Sequence, residues 1–561
     1  MKTSVISFAA SLALQYIGAA QAGVITPSSP TVSIKNGTVH GTKDHVWNQD
    51  YFLGIPYARP PVGALRFRPP QYINSKLGNI NAKKFGVHCY GFGPDQVGFE
   101  QSEDCLTLNI VRPAGISSNA KLPVAVWIHG GGFLEGGAPD YRYNMTFMVD
   151  QSSIIGSPII GVSINYRLSG WGFMSGSEME GTQNLNAGLK DQRLALHWVK
   201  ENIKSFGGDP AKVTIFGESA GGAAVGLQQI AFNGRDDGIF RGVVQQSGSA
   251  IAWGPTKSPK DFQADFNTLV AAAGCADEIS PLNCLRNATA ATLNDVFANQ
   301  WWMPVIDGDF LTGYGSEALK NGRYVKVPTI VGTTSDEGAS FGTIGANNDT
   351  DIANYLASVS AWSPATIQEL LTKYPADVSV PPAENFTGQD DGTAENGAAY
   401  HRAAAFVGDF MFIANRRLTA EILASQNVPV WSFRFRTLVN GLKAYGGAGH
   451  FSEVGFVFHN LNGDGYTGPY DNGNPLGGPK AAEYAALANY MCRSWIRFIA
   501  HQDPRIGTSN SDLKWVPYAH GAGKRQIVFD IASTGGSYIE FDDYRQEGIA
   551  FMNEYALQTQ R

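Results

Sequence analysis

The sequence predicts an α/β fold, with a mostly parallel central sheet flanked by helices and with helical insertions that cap or wall a pocket. Three observations predict it. Short apolar runs recur along the chain, Gly-rich loops follow them, and amphipathic stretches at helical spacing separate them. Strands that read as continuous apolar runs are buried on both faces, and their alternation with helices is the pattern of a parallel sheet.

The elements follow in order. Residues 124–128 (Val-Ala-Val-Trp-Ile) and 159–164 read as buried strands. Residues 188–206 predict a helix, because Leu189, Leu194, Leu196, Trp198, Val199 and Ile203 recur at near-helical spacing and Gly207-Gly208-Asp209-Pro210 ends it. Residues 213–216 and 242–245 supply further strands, 327–331 one before an acidic loop, and 430–435 one before a Gly-rich loop. The regions 258–324 and 352–426 are helical and less regular, which suits cap or pocket-wall insertions.

The chain has 561 residues and no Pro/Ser-rich linker, charge block or internal repeat, so one large domain over residues 23–561 is expected. A composition 43% hydrophobic and 16% charged excludes a disordered chain. The formal net charge of -7 and the lack of a Lys/Arg cluster argue against nucleic-acid or anionic-membrane partners. Lys2, the apolar run 5–17 and Ala20-Gln21-Ala22 form a signal-peptide pattern over residues 1–22. No later segment has the roughly 18 apolar residues a membrane span needs, so an extracellular protein without stable membrane insertion is expected. The five cysteines then imply two disulfides and one thiol. Cys89 with Cys105, and Cys275 with Cys284, are the local pairings, and Cys492 lies at helical spacing as a buried hydrophobe. Sequons at Asn36, Asn144, Asn287, Asn348 and Asn385 agree with export.

The chemistry concentrates at Gly217-Glu218-Ser219-Ala220-Gly221-Gly222, where a strand breaks on glycine, presents one serine and restarts on small residues. Such a strand-to-helix elbow exposes the hydroxyl, and its glycines remove side chains that would meet the following helix. Gly338-Ala339-Ser340-Phe341-Gly342 has the same spacing but follows a polar run with no strand directly before it, which favours Ser219. A serine needs a base and a third group to orient that base. The chain order serine, acid, histidine leaves His401, His450, His459, His501 and His520. Gly446-Gly447-Ala448-Gly449-His450 puts one of them on a loop after a strand, and His450 is the expected base; His401 and His501 fall in helical contexts, His459 and His520 beside polar loop residues. Asp336 and Glu337 share the acidic loop, and spacing does not choose between them; Asp307 and Asp309 read as a turn. His129-Gly130-Gly131-Gly132-Phe133 follows a buried strand and has the form of an oxyanion loop, which makes the N–H groups of Gly131, Gly132 and Ala220 the expected donors and His129 a structural residue.

Taken together, these motifs resemble the type B carboxylesterase/lipase family, which includes cholinesterases and fungal lipases of the α/β-hydrolase fold. Phe52-Leu53-Gly54-Ile55-Pro56-Tyr57-Ala58, Glu103-Asp104-Cys105-Leu106-Thr107-Leu108-Asn109, Asp336-Glu337-Gly338 and Gly449-His450 with Glu453 are similar to its signatures. The resemblance implies Glu337 as the acid beside Ser219 and His450, an Arg66 to Glu103 ion pair, the two local disulfides, and a supporting role for Ser247. It implies a secreted serine carboxylesterase acting on small-molecule esters, with no cofactor and no metal. Other family members carry a lid, or a choline-binding aromatic, on the loop closed by the first disulfide. Here Cys89 and Cys105 are too close in sequence for either, so an open site and soluble short- to medium-chain esters are expected. The alternatives are a lipase acting on triacylglycerols and a non-catalytic binding protein, the latter disfavoured because every motif is retained. Phe133, Leu134, Trp301 and Trp302 are candidate pocket walls.

Overall fold

Along the strand Leu122–Ile128, Val124, Val126 and Ile128 enter one buried cluster while Ala125 and Trp127 enter another. Successive side chains of a strand point to opposite faces, so an unbroken apolar run feeds two cores at once. The computed structural model describes residues 29–342, 345–374, 396–468, 473–505, 513–519, 521–556 and 560–561. The leader at 1–22, the sequon at Asn385 and His520 lie outside the described residues.

Among the described residues the main sheet has eleven strands. They are β1 (Thr42–Asp44), β2 (Gln49–Pro56), β3 (Thr107–Pro113), β4 (Leu122–Ile128), β5 (Ile160–Ile164), β6 (Gly208–Glu218), β7 (Gly242–Gln246), β8 (Thr329–Thr334), β9 (Val430–Phe435), β10 (Arg525–Phe529) and β11 (Tyr538–Phe541). Their order across the sheet is β11-β10-β9-β8-β7-β6-β4-β5-β3-β2-β1. The stretch from β10 to β5 is parallel throughout, and both flanks are antiparallel. Helix α1 (Ala187–Asn202) covers one face through Leu189, Leu196 and Val199, and α2 (Ala220–Gly234) joins the same core through Ala224 and Val225. The opposite core takes Met491, Trp495 and Ile499 of α5 (Ala481–His501); α3 (Tyr400–Gly408) and α4 (Ala414–Ser425) belong to the insertion between β8 and β9. Among the described residues no helix is long and apolar enough to cross a membrane.

The α/β-hydrolase fold expected from the sequence is the one observed, and its central strands fall where the apolar runs lie. The run at 327–331 starts its strand later, at Thr329, because Pro328 has no N–H for the ladder; its carbonyl instead accepts the Val243 N–H at 3.1 Å. The antiparallel flanks carry no such run. β2 is broken by a register shift between Phe52 and Ile55, and β11 is exposed or half-buried along its length. The regions 258–324, 352–374 and 396–426 hold helices as expected.

Candidate active site

Ser219 sits between β6 and α2 with φ 57° and ψ -124°, a conformation a non-glycine residue adopts only when its surroundings force it. Its N–H donates to the Gln246 carbonyl at 2.9 Å, and its carbonyl starts the helix by accepting the Ala223 N–H. Glycine is required on both sides. A Cβ on Gly217 would lie 2.5 Å from the Gly221 backbone, and one on Gly221 would lie 2.1 Å from the Ile128 carbonyl oxygen. The elbow therefore presses against the end of β4, which leads directly into the glycine loop at 130–132.

Two later loops meet over it. Glu337 opens a short 3-10 turn after β8, fully buried, and its Oε2 lies 2.6 Å from His450 Nδ1. Its Oε1 accepts the Ser247 hydroxyl at 2.6 Å and the Thr334 N–H at 2.8 Å. The neighbouring Asp336 turns elsewhere: its Oδ2 accepts the Ala448 N–H at 2.8 Å and so ties down the loop that carries His450. Ser340, the competing serine of the sequence, accepts the His450 N–H at 3.2 Å and serves the same loop. Phe341 and Phe412 pack on the His450 ring with centroids 4.9 and 4.7 Å away.

Burial lowers the His450 pKa, but the Glu218 and Glu337 carboxylates outweigh it and raise the group to about 9. Burial also holds the Glu218 carboxyl well above its usual range, and a neutral Glu218 lends no charge to the imidazole. The upward push then rests on Glu337, which is hydrogen-bonded to the ring. Burial pushes the Glu453 carboxyl up to about 7, and Gln246 Nε2 donates to it at 3.1 Å. His450 Nε2 has no hydrogen-bond partner among the described residues and lies 3.2 Å from Glu218 Oε1. Ser219 and His450 line one cavity of about 430 Å³, without a hydrogen bond between them. Such links tighten when substrate arrives.

The glycine loop lines the same cavity. Gly131 and Gly132 adopt φ 88° and 62°, and among the described residues no acceptor meets the N–H groups of Gly131, Gly132 or Ala220. His129 is buried and stacks on Tyr166; burial lowers its pKa to about 3, so it is a neutral core residue. Of the expected walls, Leu134 and Trp301 line this cavity and Phe133 an adjoining apolar one of about 470 Å³. Trp302 does not. It is fully buried between Phe262 and Phe297, because the chain turns it into the core while Trp301 stays exposed and donates its indole N–H to the Gly132 carbonyl at 3.0 Å.

The remaining expectations can be placed. Arg66 grips Glu103 through two hydrogen bonds of 2.7 and 2.6 Å, and the disulfides are Cys89 to Cys105 and Cys275 to Cys284. Cys492 is buried in α5, where desolvation pushes its thiol up. Asp307 accepts the N–H groups of Asp309 and Leu311, as a turn residue does. Asn287 and Asn348 are exposed, Asn36 and Asn144 half-buried, and the Asn36 amide already donates to Ile73 and Ser75 carbonyls. The sequence did not point to Ser340, Phe341 or Phe412 as neighbours of the imidazole; for Ser340 the sole signal was its false serine motif.

A parallel sheet of this order, with a serine on the elbow after a central strand, defines an α/β-hydrolase. The chain belongs to the carboxylesterase family, whose model matches residues 28–543, and it is a carboxylic ester hydrolase. It is 33% identical to "Secreted lipase 1" of Botryotinia fuckeliana, over 92% of this chain and 90% of that one. It is 32% identical to "Lipase 2" of Geotrichum candidum, over 89% and 91%. The crystal structure of Aspergillus niger EstA superposes with a TM-score of 0.81 at 26% identity, covering 95% of this chain and 99% of that one.

Proposed function

We propose that the chain is an exported serine carboxylesterase in which Ser219 is the nucleophile, His450 the base, Glu337 the orienting acid, and the N–H groups of Gly131, Gly132 and Ala220 the oxyanion donors. Ser219 Oγ attacks the ester carbonyl carbon as His450 Nε2 takes its proton. Glu337 holds the Nδ1 proton, so the other nitrogen is the free base, and stabilises the imidazolium that forms. The three N–H groups receive the oxyanion. Collapse expels the alcohol with the proton from His450, and water repeats the sequence on the acyl-enzyme. The observation that carries the reading is the 2.6 Å bond from His450 Nδ1 to the buried Glu337, on the cavity that Ser219 and the glycine loop also line.

Ser219→Ala should lower kcat by on the order of 10³-fold or more and abolish labelling by a serine-directed phosphonate. Unchanged turnover would exclude Ser219. The leader and the sequons play no part in this test; export rests on the 1–22 pattern and on relatives named as secreted.

The preferred substrates are soluble short- to medium-chain esters, because only 16 positions separate the cysteines of the first disulfide. A second reading, a lipase, draws on the relatives' names and on the apolar cavity beside the serine. Turnover of one ester series below and above its solubility limit separates the two: a rise confined to the emulsion favours the lipase.

A further inference from the structure

The carbonyls of the glycine loop are pinned one by one. Gly130 O lies 3.0 Å from His129 Nδ1, the Gly131 carbonyl accepts the N–H groups of Leu134 and Glu135 at 2.9 and 3.0 Å, and the Phe133 carbonyl accepts the Ser169 N–H at 2.7 Å. The Gly132 carbonyl is held from farther along the chain, by the indole N–H of Trp301 at 3.0 Å.

That bond falls on the weakest point of the loop. The Leu134 N–H on the Gly131 carbonyl closes a four-residue turn whose central residues, Gly132 and Phe133, have φ 62° and 58°. Positive φ at both central positions is the type I′ pattern, which glycine adopts readily and a bulky aromatic residue only under strain. A type II′ turn needs positive φ at its first central position alone, where glycine already stands. Rotating the peptide between Gly132 and Phe133 by half a turn converts one form to the other and releases Phe133 from the left-handed region. The observed form is therefore the strained one, and among the described residues no backbone group bonds its central peptide. Turning that peptide over would exchange its carbonyl and its N–H, and so invert the partial charges directly beside the Gly131 and Gly132 donors.

Trp301 is well placed to prevent this. It is 54% exposed and lines the Ser219 cavity, and a Cβ on Gly132 would lie 3.6 Å from its ring. Its neighbours hold it there: Trp302 is buried and stacks on Phe262 at 5.3 Å, and Gln300 Nε2 donates to the Asp265 carbonyl at 2.9 Å. The insertion at 258–324 thus reaches the loop through one hydrogen bond.

We propose that Trp301 is a positioning residue of this hydrolase: its indole N–H holds the Gly132–Phe133 peptide, and with it the oxyanion turn, in the form that receives the negative charge of the transition state. The proposal rests on Ser219 as nucleophile and on Gly131, Gly132 and Ala220 as donors. Removing a whole oxyanion donor costs on the order of 10²–10³-fold in kcat, so loosening the turn that carries two of them should cost about tenfold.

The test uses the full chain, p-nitrophenyl butyrate below its solubility limit, and a pair of ketone inhibitors. The trifluoromethyl ketone takes the Ser219 oxygen on its carbonyl carbon, with the serine proton passing to His450, and leaves an oxyanion; the matching methyl ketone binds without that step. Trp301→Phe keeps a ring and removes the donor. It should lower kcat about tenfold and weaken the trifluoromethyl ketone by the same factor, with KM and methyl ketone affinity within about twofold of wild type. Where Trp301→Phe fails to fold, β-(3-benzothienyl)alanine in place of Trp301, which has sulfur where the indole has its N–H, carries the same comparison. An unchanged kcat overturns the proposal. So does a loss that appears in KM and in both ketones alike, which would make Trp301 a wall of the cavity and nothing more. Labelling of the wild type by a small fluorophosphonate separates the two levels: a wild type that is labelled and binds the trifluoromethyl ketone tightly leaves only Trp301 at stake, whereas one that does neither loses the Ser219 reading as well.

Discussion

Replacing Glu337 by Gln tests the site where its geometry is tightest. Three donors converge on this carboxylate: the Ser247 hydroxyl and Thr334 N–H on one oxygen, His450 Nδ1 on the other. An amide has one acceptor oxygen and one donor group, so it cannot serve all three. If its NH₂ faced Ser247 and Thr334, a backbone donor would be left unpaired in the core, at about 1–3 kcal/mol. The oxygen therefore stays with those two, and the NH₂ meets Nδ1. That forces Nδ1 to accept, moves the ring proton to Nε2, and leaves no base for the serine. A wrong tautomer of this kind costs ~10⁴-fold in kcat, or about 5 kcal/mol of transition-state stabilisation. The pH dependence supplies a second reading. The base must be neutral, and its pKa is raised by carboxylates, so wild-type kcat/KM should fall as pH drops through a limb between the usual histidine value of 6.5 and about 9. Removing the Glu337 charge should move that limb to lower pH. The assay is initial rate on a soluble p-nitrophenyl ester from pH 5 to 10, with thermal melts to show that the variant is folded. A folded Glu337→Gln variant within about tenfold of wild-type kcat, or with an unmoved limb, would refute the reasoning.

Two stability predictions follow from the same surroundings. Burial raises the Asp336 carboxyl from 3.8 to about 7, so between those values the native chain keeps a proton that the unfolded chain releases, and stability should fall as pH rises through that window. Asp336→Asn keeps an acceptor for the Ala448 N–H and should shrink the drop in melting temperature between pH 5 and pH 8; an identical drop would count against it. Opening the first disulfide with Cys89→Ser and Cys105→Ser frees a loop of 16 positions and should cost about 3 kcal/mol, read from denaturant midpoints.

Ser219, His450 and the glycine loop were legible because their chemistry demands backbone shapes that only glycine-rich segments adopt, and such segments stand out in a sequence. The choice between Asp336 and Glu337 was not legible from spacing. Adjacent residues on a turn point in different directions, and only the fold decides which one faces Nδ1. The family resemblance pointed to Glu337, whose Oε2 lies 2.6 Å from His450 Nδ1. Trp301 and Trp302 differ in the same way, one on the cavity and the other in the core. The edge strands were invisible for another reason: exposed on a face, or interrupted as β2 is, they lack the continuous apolar runs that mark the buried strands. The π-helical turn at Asp409–Ile413 leaves no pattern in the sequence; its anchors include Arg545 and Arg561, both distant along the chain.

The short first-disulfide loop bears most directly on substrate choice. Its length implied that it is too short to form a lid, and Asp95 on it lines the Ser219 cavity. The loop is stitched to the segment that follows the glycine loop: Phe92 N–H donates to the Leu134 carbonyl at 2.9 Å, Asp95 N–H to Glu135 at 2.7 Å, and Gln96 Nε2 to the Gly136 carbonyl at 3.3 Å. His88 Nδ1, 2.9 Å from Gln96 Oε1, pins the other end. Lifting the loop as a lid lifts would break all four, at roughly 1 kcal/mol each net and more for groups left buried, and would pull on the backbone beside the oxyanion donors. A rim built this way serves a site that is always formed. It has nothing to gain from an oil surface, so no rate jump at the solubility limit is the expected outcome, on the ground of this loop's hydrogen bonds as much as of its length.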